Sequence, residues 1–416
     1  MVYVLSKNGQ PIMPTEDHRK VRLLLKNKKA TVVRRTPFTI RLTGTNKTYT
    51  QKVTLGVDAG SKHVGLSAST KPKELFAAEL KPRNDVTNLM SSRLQMRRSR
   101  RNRKTRYRQP RFNNRVHSKH KGWLAPSVEV KIHNHIQGIQ LACKILPVSV
   151  FRIETAEFDM QRLKAMEEGK PLPVGTDYQL GEMYDAYNAR QYVLYRDGYA
   201  CQCCGAHGKN IKLHVHHIES RKTGGNAPDN LITLCSVCHK LYHAGKIQLP
   251  VKKRRHKSTR DAAFMGIMRN TLMARVRMQY PDIEVHSTYG YITKCIRENH
   301  GIQKSHVNDA ICIAKNPGAI RVEKQYTVVP VRRHNRQIHK ATINKDAVRK
   351  RNQAGYIVKG FRLFDYVSVG NQEGFIFGRR ASGYFDVRRL DRTKISAGVS
   401  YKKIKLLSKT KSLLIA

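Results

Sequence analysis

Two pairs of cysteines lie in one short stretch of the 416-residue chain. Cys201 and Cys204 are separated by two residues, and Cys235 and Cys238 repeat that spacing. Two such pairs together supply the four thiolates of a tetrahedral zinc site. Buried thiols without a metal are the alternative interpretation, but the repeated spacing favours a structural zinc ion. Cys203, within the first pair, is interpreted as a bystander.

Histidines and an asparagine lie between and just after these cysteines. His216 and His217 are adjacent in a predicted strand, so their side chains point to opposite faces. We expect His216 and His239 to hold one Mg²⁺, and His217 to be the general base that takes a proton from the attacking water. Asn230 would brace the loop that carries His217 and fix the orientation of its imidazole. Whether His243, one turn beyond His239, is a ligand or simply exposed stays open.

Three carboxylates lie in apolar segments, where an acid is costly to bury. Asp58 closes the strand VTLGVD, Glu154 ends the strand SVFRIE, and Asp309 shares a helical face with His306. Brought together, these acids would bind two Mg²⁺ ions that activate a water and stabilise the leaving oxygen of an in-line phosphodiester displacement. His306 would orient the nucleophile or stabilise the developing charge. For any one acid alone, an ordinary cap or surface ion pair is the better interpretation, so the hypothesis depends on their joint occurrence.

A predicted helix within residues 91–121 is basic on every face. Such a helix cannot pack against a protein core, and like charges one turn apart weaken it further. Phosphates around it would remove this repulsion, so the segment is predicted to bind nucleic acid rather than to be a disordered basic stretch. The arginines assigned to this role are Arg93, Arg97, Arg98, Arg100, Arg101, Arg103, Arg106 and Arg108.

The composition agrees with a folded protein that binds a polyanion. Lys and Arg total 80 against 29 Asp and Glu, for a net charge of +51, and 39% of the residues are hydrophobic. This is too apolar for a disordered basic tail, and nucleic acid is the obvious partner for such a charge. No apolar run reaches the length of a membrane span and no signal peptide is recognisable, so a cytoplasmic protein is predicted. The isolated cysteines are predicted to be core residues: Cys143, Cys295 and Cys312.

The elements that must position these residues alternate between strands and helices. A hairpin is predicted over residues 52–67, a helix over 127–146 followed by the strand that ends at Glu154, and a strand over 282–298. Beyond about residue 317, short strands punctuated by glycine indicate a separate small β domain. The predicted fold class is therefore α/β, with smaller domains attached.

These motifs resemble a known family. The segment from Cys201 to His243 resembles an HNH nuclease of the zinc-stabilised ββα-metal kind, and the three acids with His306 resemble the split parts of a RuvC-type nuclease with an RNase H-like fold. An HNH domain between the second and third RuvC parts, with an arginine-rich helix after the first, is similar to the transposon-associated IscB family of RNA-guided enzymes. Residues 11–14, Pro-Ile-Met-Pro, resemble the Pro-Leu-Met-Pro motif of the first IscB domain and depart from it at Ile12.

The resemblance implies a domain order. The segments are an N-terminal PLMP-type domain (1–52), RuvC part I (53–87), the arginine-rich bridge helix (88–121), RuvC part II (122–185), the HNH domain (186–250), RuvC part III (251–316) and a C-terminal β-rich domain that contacts RNA and the flanking motif (317–416).

The resemblance to the IscB family also implies an activity and binding partners. The protein would be an RNA-guided double-stranded DNA endonuclease of the OMEGA type, with a long structured guide RNA (ωRNA) and a short motif flanking the target. The HNH site would cut the guide-paired strand with one Mg²⁺, and the RuvC site would cut the displaced strand with two Mg²⁺. A monomeric ribonucleoprotein, associated with the prokaryotic nucleoid when bound to DNA, is expected.

Two other functions stay open at this point. One is an RNA-independent HNH endonuclease in which the RuvC parts serve only as scaffold. The other is a non-catalytic RNA-binding protein whose cysteine cluster is purely structural. Every acid expected for RuvC chemistry is present, which favours two active sites over either alternative.

Overall fold

The computed structural model describes residues 1–44, 49–102, 122–155, 171, 189–208, 210–219, 230–250, 260–332 and 355–416. The chain divides into two compact units. Unit 1 comprises Met1–Phe158 and Met265–Ala416, and unit 2 comprises Asp159–Phe264. Unit 2 is therefore an insertion in the chain of unit 1.

The strands, in chain order, are β1 (Tyr3–Leu5), β2 (Ala30–Arg34), β3 (Thr39–Leu42), β4 (Val53–Ala59), β5 (Val64–Ser69), β6 (Glu74–Leu80), β7 (Val148–Glu154), β8 (Leu213–His217), β9 (Leu231–Cys235), β10 (Glu284–Thr288), β11 (Gln325–Pro330), β12 (Tyr366–Val369), β13 (Gln372–Arg379), β14 (Tyr384–Arg388), β15 (Lys394–Ser400), β16 (Ile404–Ser408) and β17 (Leu413–Ile415). The α-helices are α1 (His18–Lys26), α2 (Val86–Asn102), α3 (Pro126–Cys143), α4 (Ala189–Arg196), α5 (Ser236–His243), α6 (Arg260–Gln279), α7 (Gly290–Asn299) and α8 (His306–Ile313). None of these described helices is long and apolar enough to cross a lipid bilayer.

A seven-stranded sheet forms the centre of unit 1, in the order β10-β7-β4-β5-β6-β11-β17. Strands β4, β5 and β6 form an antiparallel meander, and β7 and β10 extend it on one side as parallel neighbours. The central strands are apolar and buried along nearly their whole length, as expected for a sheet covered on both faces. Gly138 of α3 packs against Leu66 and Leu80 on one face, and α8 covers the other.

The first residues form the small module that the sequence predicts. Strands β1, β3 and β2 make a three-stranded sheet with its own apolar core, and α1 packs on it through the buried Val21. Helix α1 begins where the side chain of Asp17 accepts a hydrogen bond of 2.8 Å from the backbone of Lys20. Ile12, the position that departs from the Pro-Leu-Met-Pro motif, packs against the same core.

The last part of the chain contributes to two sheets. Strands β15, β14, β13, β12 and β16 form an antiparallel five-stranded sheet with its own core, as expected for a small β domain. Strands β11 and β17, which also belong to the segment after residue 317, pair with each other and with β6 in the seven-stranded sheet. The chain therefore returns to the central sheet at its end.

Two predictions about local structure are wrong. The strand predicted over residues 282–298 ends at Thr288, and α7 follows it. Ile292 and Ile296 are four residues apart, a spacing that places both on one face of a helix. Cys295 lies on the exposed side of that helix and is not a core residue, whereas Cys312 is buried and Cys143 is partly buried.

Candidate functional site

The register of two strands in unit 1 brings Asp58 and Glu154 side by side. Strands β4 and β7 run parallel, with Val57 opposite Ile153. Asp58 and Glu154 are the next residues along each strand, and neighbouring strands are about 4.8 Å apart. Both carboxylates therefore lie at the same edge of the sheet and on the same face.

Helix α8 lies directly on that face because two glycines leave room for its backbone. A Cβ atom on Gly56 would lie 1.9 Å from the carbonyl oxygen of Ala310, and one on Gly65 would lie 1.7 Å from the carbonyl oxygen of His306. Any side chain at either position would push the helix away from the sheet. The two glycines were not singled out by sequence reasoning, since only the register shows what they face.

The close approach of α8 joins His306 to Asp58. Nδ1 of His306 lies 2.6 Å from Oδ2 of the buried Asp58. This hydrogen bond raises the pKa of His306 above its ordinary value, since the charge of Asp58 favours the imidazolium. The structure therefore brings together the first acid and the histidine of the predicted constellation.

Arginines lie beside the other two acids. Nη2 of Arg269 is 3.8 Å from Oε1 of Glu154, and Nε of Arg297 is 3.0 Å from Oδ1 of Asp309, although that pair is not aligned for a hydrogen bond. Burial, and then the charge of Asp58, raise the pKa of both Glu154 and Asp309 despite these cations. All three acids therefore lie close enough to repel one another.

Arg269 and Arg297 partly neutralise the charge of Glu154 and Asp309. A metal ion that bound these carboxylates would have to replace both arginines. Within the described residues, the three carboxylates are not among the groups whose potential ligand atoms all lie within 4.8 Å of one another. Their oxygens are nevertheless the donors that Mg²⁺ prefers, and their mutual repulsion is relieved by a divalent cation. The donor set fits Mg²⁺, provided that Arg269 and Arg297 give up their contacts. Sequence reasoning missed both arginines.

Unit 2 contains the four-cysteine cluster. The sulfurs of Cys201, Cys204, Cys235 and Cys238 all lie within 4.8 Å of one another, and those of Cys204 and Cys235 are 3.7 Å apart. Burial acts to raise the pKa of Cys201, but hydrogen bonds from the backbone of Cys204, Cys235 and Cys203 lower it, whereas burial raises the pKa of Cys238. Cys201 is therefore the thiol of the two that loses its proton more readily, as a zinc ligand must. Cys203 lies outside the cluster and packs against the neighbouring core.

A hairpin followed by a helix positions the imidazoles. Strands β8 and β9 are antiparallel, with His216 opposite Ile232, and α5 follows directly. Cys235 ends β9 and also caps α5, since its sulfur accepts a hydrogen bond of 3.4 Å from the backbone of Cys238. The cysteine cluster thus fixes the start of the helix that carries His239 and His243.

Three imidazoles converge in this ββα unit. Nitrogen atoms of His216, His239 and His243 all lie within 4.8 Å of one another. Burial and the neighbouring histidines lower the pKa of His216 to about 4, and its Nε2 has no hydrogen-bond partner within the described residues. A buried neutral imidazole with an unused lone pair is suited to bind a metal. His243 therefore belongs with the two predicted ligands.

Asn230 joins the start of β9 to the loop that follows His217. Its Oδ1 accepts a hydrogen bond of 2.7 Å from the backbone of Glu219, and its Nδ2 donates one of 3.0 Å to the Glu219 carbonyl. The backbone of Ile218 donates to the Asn230 carbonyl at 2.8 Å. These contacts are of the kind expected for a brace behind a general base, with His217 on the opposite face of β8 from His216.

His214 supports the imidazole site through contacts with His239 and Ser236, a role that was not predicted from the sequence. Its ring stacks on His239, with centroids 5.1 Å apart, and its Nε2 lies 3.0 Å from the hydroxyl of Ser236. It therefore holds one of the imidazoles in place without joining the group of potential ligands. The signal was present in the sequence, since His214 and His216 alternate along one strand and point to the same face.

Two family models match the chain. The RRXRR protein model matches residues 2–181, and the HNH endonuclease model matches residues 201–245. Together they cover more than half of the chain, and residues 97–101 read Arg-Arg-Ser-Arg-Arg. The chain is an IscB-like HNH endonuclease. The resemblance of the chain to IscB-like HNH nucleases is thereby confirmed.

The IscB-like chain is also similar to individual proteins. It is 31% identical over 71 residues to Anaredoxin of Nostoc sp., a match that covers 17% of this chain and 91% of that protein. Streptococcus thermophilus Cas9 in complex with the AGGA PAM matches with a TM-score of 0.30 and 12% identity, over 46% of this chain and 26% of that one. The Type II-C Cas9 of Actinomyces naeslundii matches with a TM-score of 0.16 and 17% identity, over 48% and 30%. The chain spans less than a third of either Cas9, and these TM-scores establish no shared fold.

The arginine-rich helix of the IscB-like chain begins earlier than predicted, at Val86, and α2 is described to Asn102. Arg93 and Arg98 are exposed, Arg97 is partly buried, and the backbone of residues 100–101 is helical. The helix shows no buried side chain among those described, so it does not pack into the core through these residues. Three of the predicted contacts lie outside the described residues: Arg103, Arg106 and Arg108.

Proposed function

We propose that this HNH endonuclease is RNA-guided and cuts double-stranded DNA at two sites. The imidazole site of unit 2 cleaves the guide-paired strand, and the carboxylate site of unit 1 cleaves the displaced strand. The observation that carries the proposal is the convergence of Asp58, Glu154, Asp309 and His306 on one face of a single sheet.

The topology supports a split RuvC-type core. The order β6-β5-β4-β7-β10, an antiparallel meander extended by two parallel strands, is that of an RNase H-like sheet. Asp58 and Glu154 precede unit 2 in the chain and Asp309 follows it, so the insertion separates parts of one site. The first strand, the fourth strand and the last helix of the core thus each contribute one acid.

The residues of the imidazole site have distinct tasks in hydrolysis. His217 takes a proton from the attacking water, and Asn230 holds the loop after His217 so that its ring keeps one orientation. His216, His239 and His243 would hold a divalent ion, which would neutralise the scissile phosphate and the leaving 3′-oxygen. The four thiolates bind zinc and hold β9 and α5 together.

The three imidazoles of unit 2 suit a different ion from the Mg²⁺ expected from the sequence. Mg²⁺ prefers oxygen ligands, whereas imidazole nitrogen suits zinc, nickel and similar transition ions. With His243 included, the site offers three imidazoles. A transition ion is therefore a better occupant than the Mg²⁺ expected from two histidines.

At the carboxylate site, the chain supplies three acids as metal ligands and His306 as a group that can carry a proton. Asp58, Glu154 and Asp309 would hold two Mg²⁺ ions, which would activate a water and stabilise the leaving oxygen. His306 donates its Nδ1 proton to Asp58, which fixes the ring and leaves Nε2 directed elsewhere. His306 then orients the nucleophile or stabilises the developing negative charge.

Charge supports the nucleic-acid partners. The net charge of +51 and the exposed arginines of α2 suit a long structured guide RNA and the heteroduplex that it forms with the target strand. The five-stranded sheet β12–β16 is proposed to contact this RNA and a short motif flanking the target. Binding of this kind weakens steeply as salt rises, because counterions compete for the phosphates.

The experiment begins with the RNA that co-purifies with the chain. Sequencing is expected to reveal a discrete long species with a variable segment. A DNA duplex matched to that segment, labelled on one strand at a time, then reports each cut. Asp58→Ala is expected to abolish cleavage of the displaced strand only, and His217→Ala cleavage of the guide-paired strand only. Cleavage without RNA, or loss of both cuts in either folded variant, would overturn the proposal.

A further inference from the structure

A fourth carboxylate lies in the same row of the sheet as the proposed RuvC-type acids. Asp58 is opposite Gly65 on β5, and Gly65 is opposite Glu79 on β6. Residues directly opposite one another in antiparallel strands point to the same face. Since His306 lies over Gly65, Asp58 and Glu79 flank it on two sides.

Glu79 holds a second histidine in the same way as Asp58 holds His306. Nδ1 of His63 lies 2.6 Å from Oε1 of Glu79, the same separation as that between Nδ1 of His306 and Oδ2 of Asp58. The two imidazole rings stack, with centroids 5.1 Å apart and planes inclined by only 4°. The site therefore contains two parallel carboxylate–histidine pairs.

The Glu79–His63 pair constrains the ring of His306 in the Asp58–His306 pair. The side chain of His306 is 44% exposed and belongs to the first residue of its helix, so little protein packs around its ring. Its hydrogen-bond partner, Asp58, is also an expected metal ligand, and a carboxylate that binds a cation has fewer lone pairs left for a histidine. The stack with His63 fixes the plane of the His306 ring without involving Asp58.

We propose that Glu79 and His63 form a positioning pair for the RuvC-type site, which keeps the ring of His306 in its working orientation. The inference rests on the proposed function of the carboxylate site. His63 and Glu79 act only through His306, and neither contacts the reacting atoms. Residues with such supporting roles typically contribute about 10- to 100-fold to activity.

The test uses the ribonucleoprotein purified with its own RNA and a duplex matched to the variable segment, labelled on either strand. His63→Ala is expected to lower kcat for the displaced strand about tenfold with KM unchanged. His63→Phe keeps a ring for stacking and is expected to restore most of that loss. His286→Ala is the matched control, because His286 pairs with Glu284 at 3.3 Å with a similar exposed fraction of 45%, but does not stack on His306.

A double-variant cycle tests whether Glu79 and His63 act together. Glu79→Ala is expected to show a smaller defect than His63→Ala, because the ring of His63 can still stack on His306, and the double variant no larger defect than His63→Ala alone, because Glu79 acts only through His63. Fully additive losses, or a Phe variant as slow as the Ala variant, would overturn the inference. Cleavage of the guide-paired strand and the melting temperature should stay at wild-type values in every variant.

Asp58→Ala separates this inference from the function on which it rests. If Asp58→Ala leaves the displaced-strand cut intact, the proposed RuvC-type function fails. If Asp58→Ala abolishes that cut but His63→Ala cleaves like wild type, only the positioning role fails.

Discussion

The two candidate sites are built by opposite strategies. In unit 2, the thiolates and imidazoles come from one stretch of chain, residues 201–243, and within each of these two sets the donor atoms lie within 4.8 Å of one another. In unit 1, the acids come from three distant segments, with Asp58 and His306 separated by 248 residues. The first site is assembled by local spacing and the second by sheet register.

The contrast extends to what stabilises each site without metal. Among the described residues, Nε2 of His216 and Oδ1 of Asp309 both lack a hydrogen-bond partner, but only the carboxylate site has compensating charges, since Glu154 and Asp309 each have an arginine beside them. A metal ion therefore completes the first site but must displace cations at the second. We expect folding to depend on metal in unit 2 and to be nearly independent of metal in unit 1.

The largest expected effect is the loss of zinc from unit 2. Cys238→Ser removes one of four thiolates, and structural zinc contributes on the order of 10 kcal/mol to small domains of this kind. We expect unfolding of β8, β9 and α5, with loss of the guide-paired cut but a folded unit 1. Metal analysis together with hydrogen exchange measures this.

Cys203→Ser is the matched control for that experiment. It removes a thiol one residue from a ligand but outside the cluster, so zinc content and exchange should match wild type. Equal zinc loss in both variants would show that Cys203 takes part in binding, and the assignment of the four ligands would be wrong.

A substitution in unit 1 tests the carboxylate site, which depends on sheet register. Gly65→Ala places a Cβ atom 1.7 Å from the carbonyl oxygen of His306, so α8 has to move away from the sheet. We expect destabilisation of unit 1 by about 3 kcal/mol and loss of displaced-strand cleavage by at least about 100-fold. Gly318→Ala, where a Cβ atom meets nothing within 4 Å, should cleave both strands normally. A fully active Gly65→Ala variant would contradict the close packing of α8.

The same contrast explains what could be predicted from the sequence. The spacing of Cys201, Cys204, Cys235 and Cys238 predicts their cluster because a knuckle is a local structure. The three acids could be nominated from their apolar strand ends, but only the family resemblance joined them into one site. Their neighbours across the sheet, Glu79 among them, depend on which strands pair and in which register.

Features that depend on packing against distant elements were not predicted. Arg269 interrupts an apolar helix, which signals a buried role, but nothing in the sequence shows that it faces Glu154. Helix α7 was predicted as part of a strand because its aromatic and β-branched residues outweighed the four-residue spacing of Ile292 and Ile296. Cys295 was misplaced in the core for the same reason.

A smaller effect is expected from the brace behind the general base. Asn230→Ala removes both side-chain hydrogen bonds to the backbone of Glu219, at a cost of about 1 to 3 kcal/mol for the groups left unpaired. We expect guide-paired cleavage to slow by about 10- to 100-fold, since His217 loses its fixed orientation. Strand-specific kinetics measure this, and a matching loss of displaced-strand cleavage would show a global defect instead of a local one.

The last comparison separates the two sites by the sign of their pH dependence. Burial and neighbouring histidines lower the pKa of His216 from 6.5 to about 4, so the unfolded chain binds its proton first and unit 2 loses stability as the pH falls through this range. Burial and Asp58 raise the pKa of Glu154 and Asp309, so the unfolded chain releases their protons first and unit 1 loses stability as the pH rises through the interval between the ordinary and raised values.

Hydrogen exchange at several pH values measures these opposite slopes in one chain. The protein should keep its zinc but be stripped of other divalent ions, and the rates should be corrected for intrinsic exchange. The total change in the free energy of unfolding at each group is on the order of 1 kcal/mol per unit of pKa shift. His216→Gln should flatten the response of β8 and α5 alone, because it removes the titrating ring and leaves the carboxylates untouched. Slopes of the same sign in both units would contradict the view that folding disfavours proton binding at the imidazole site and favours it at the carboxylate site.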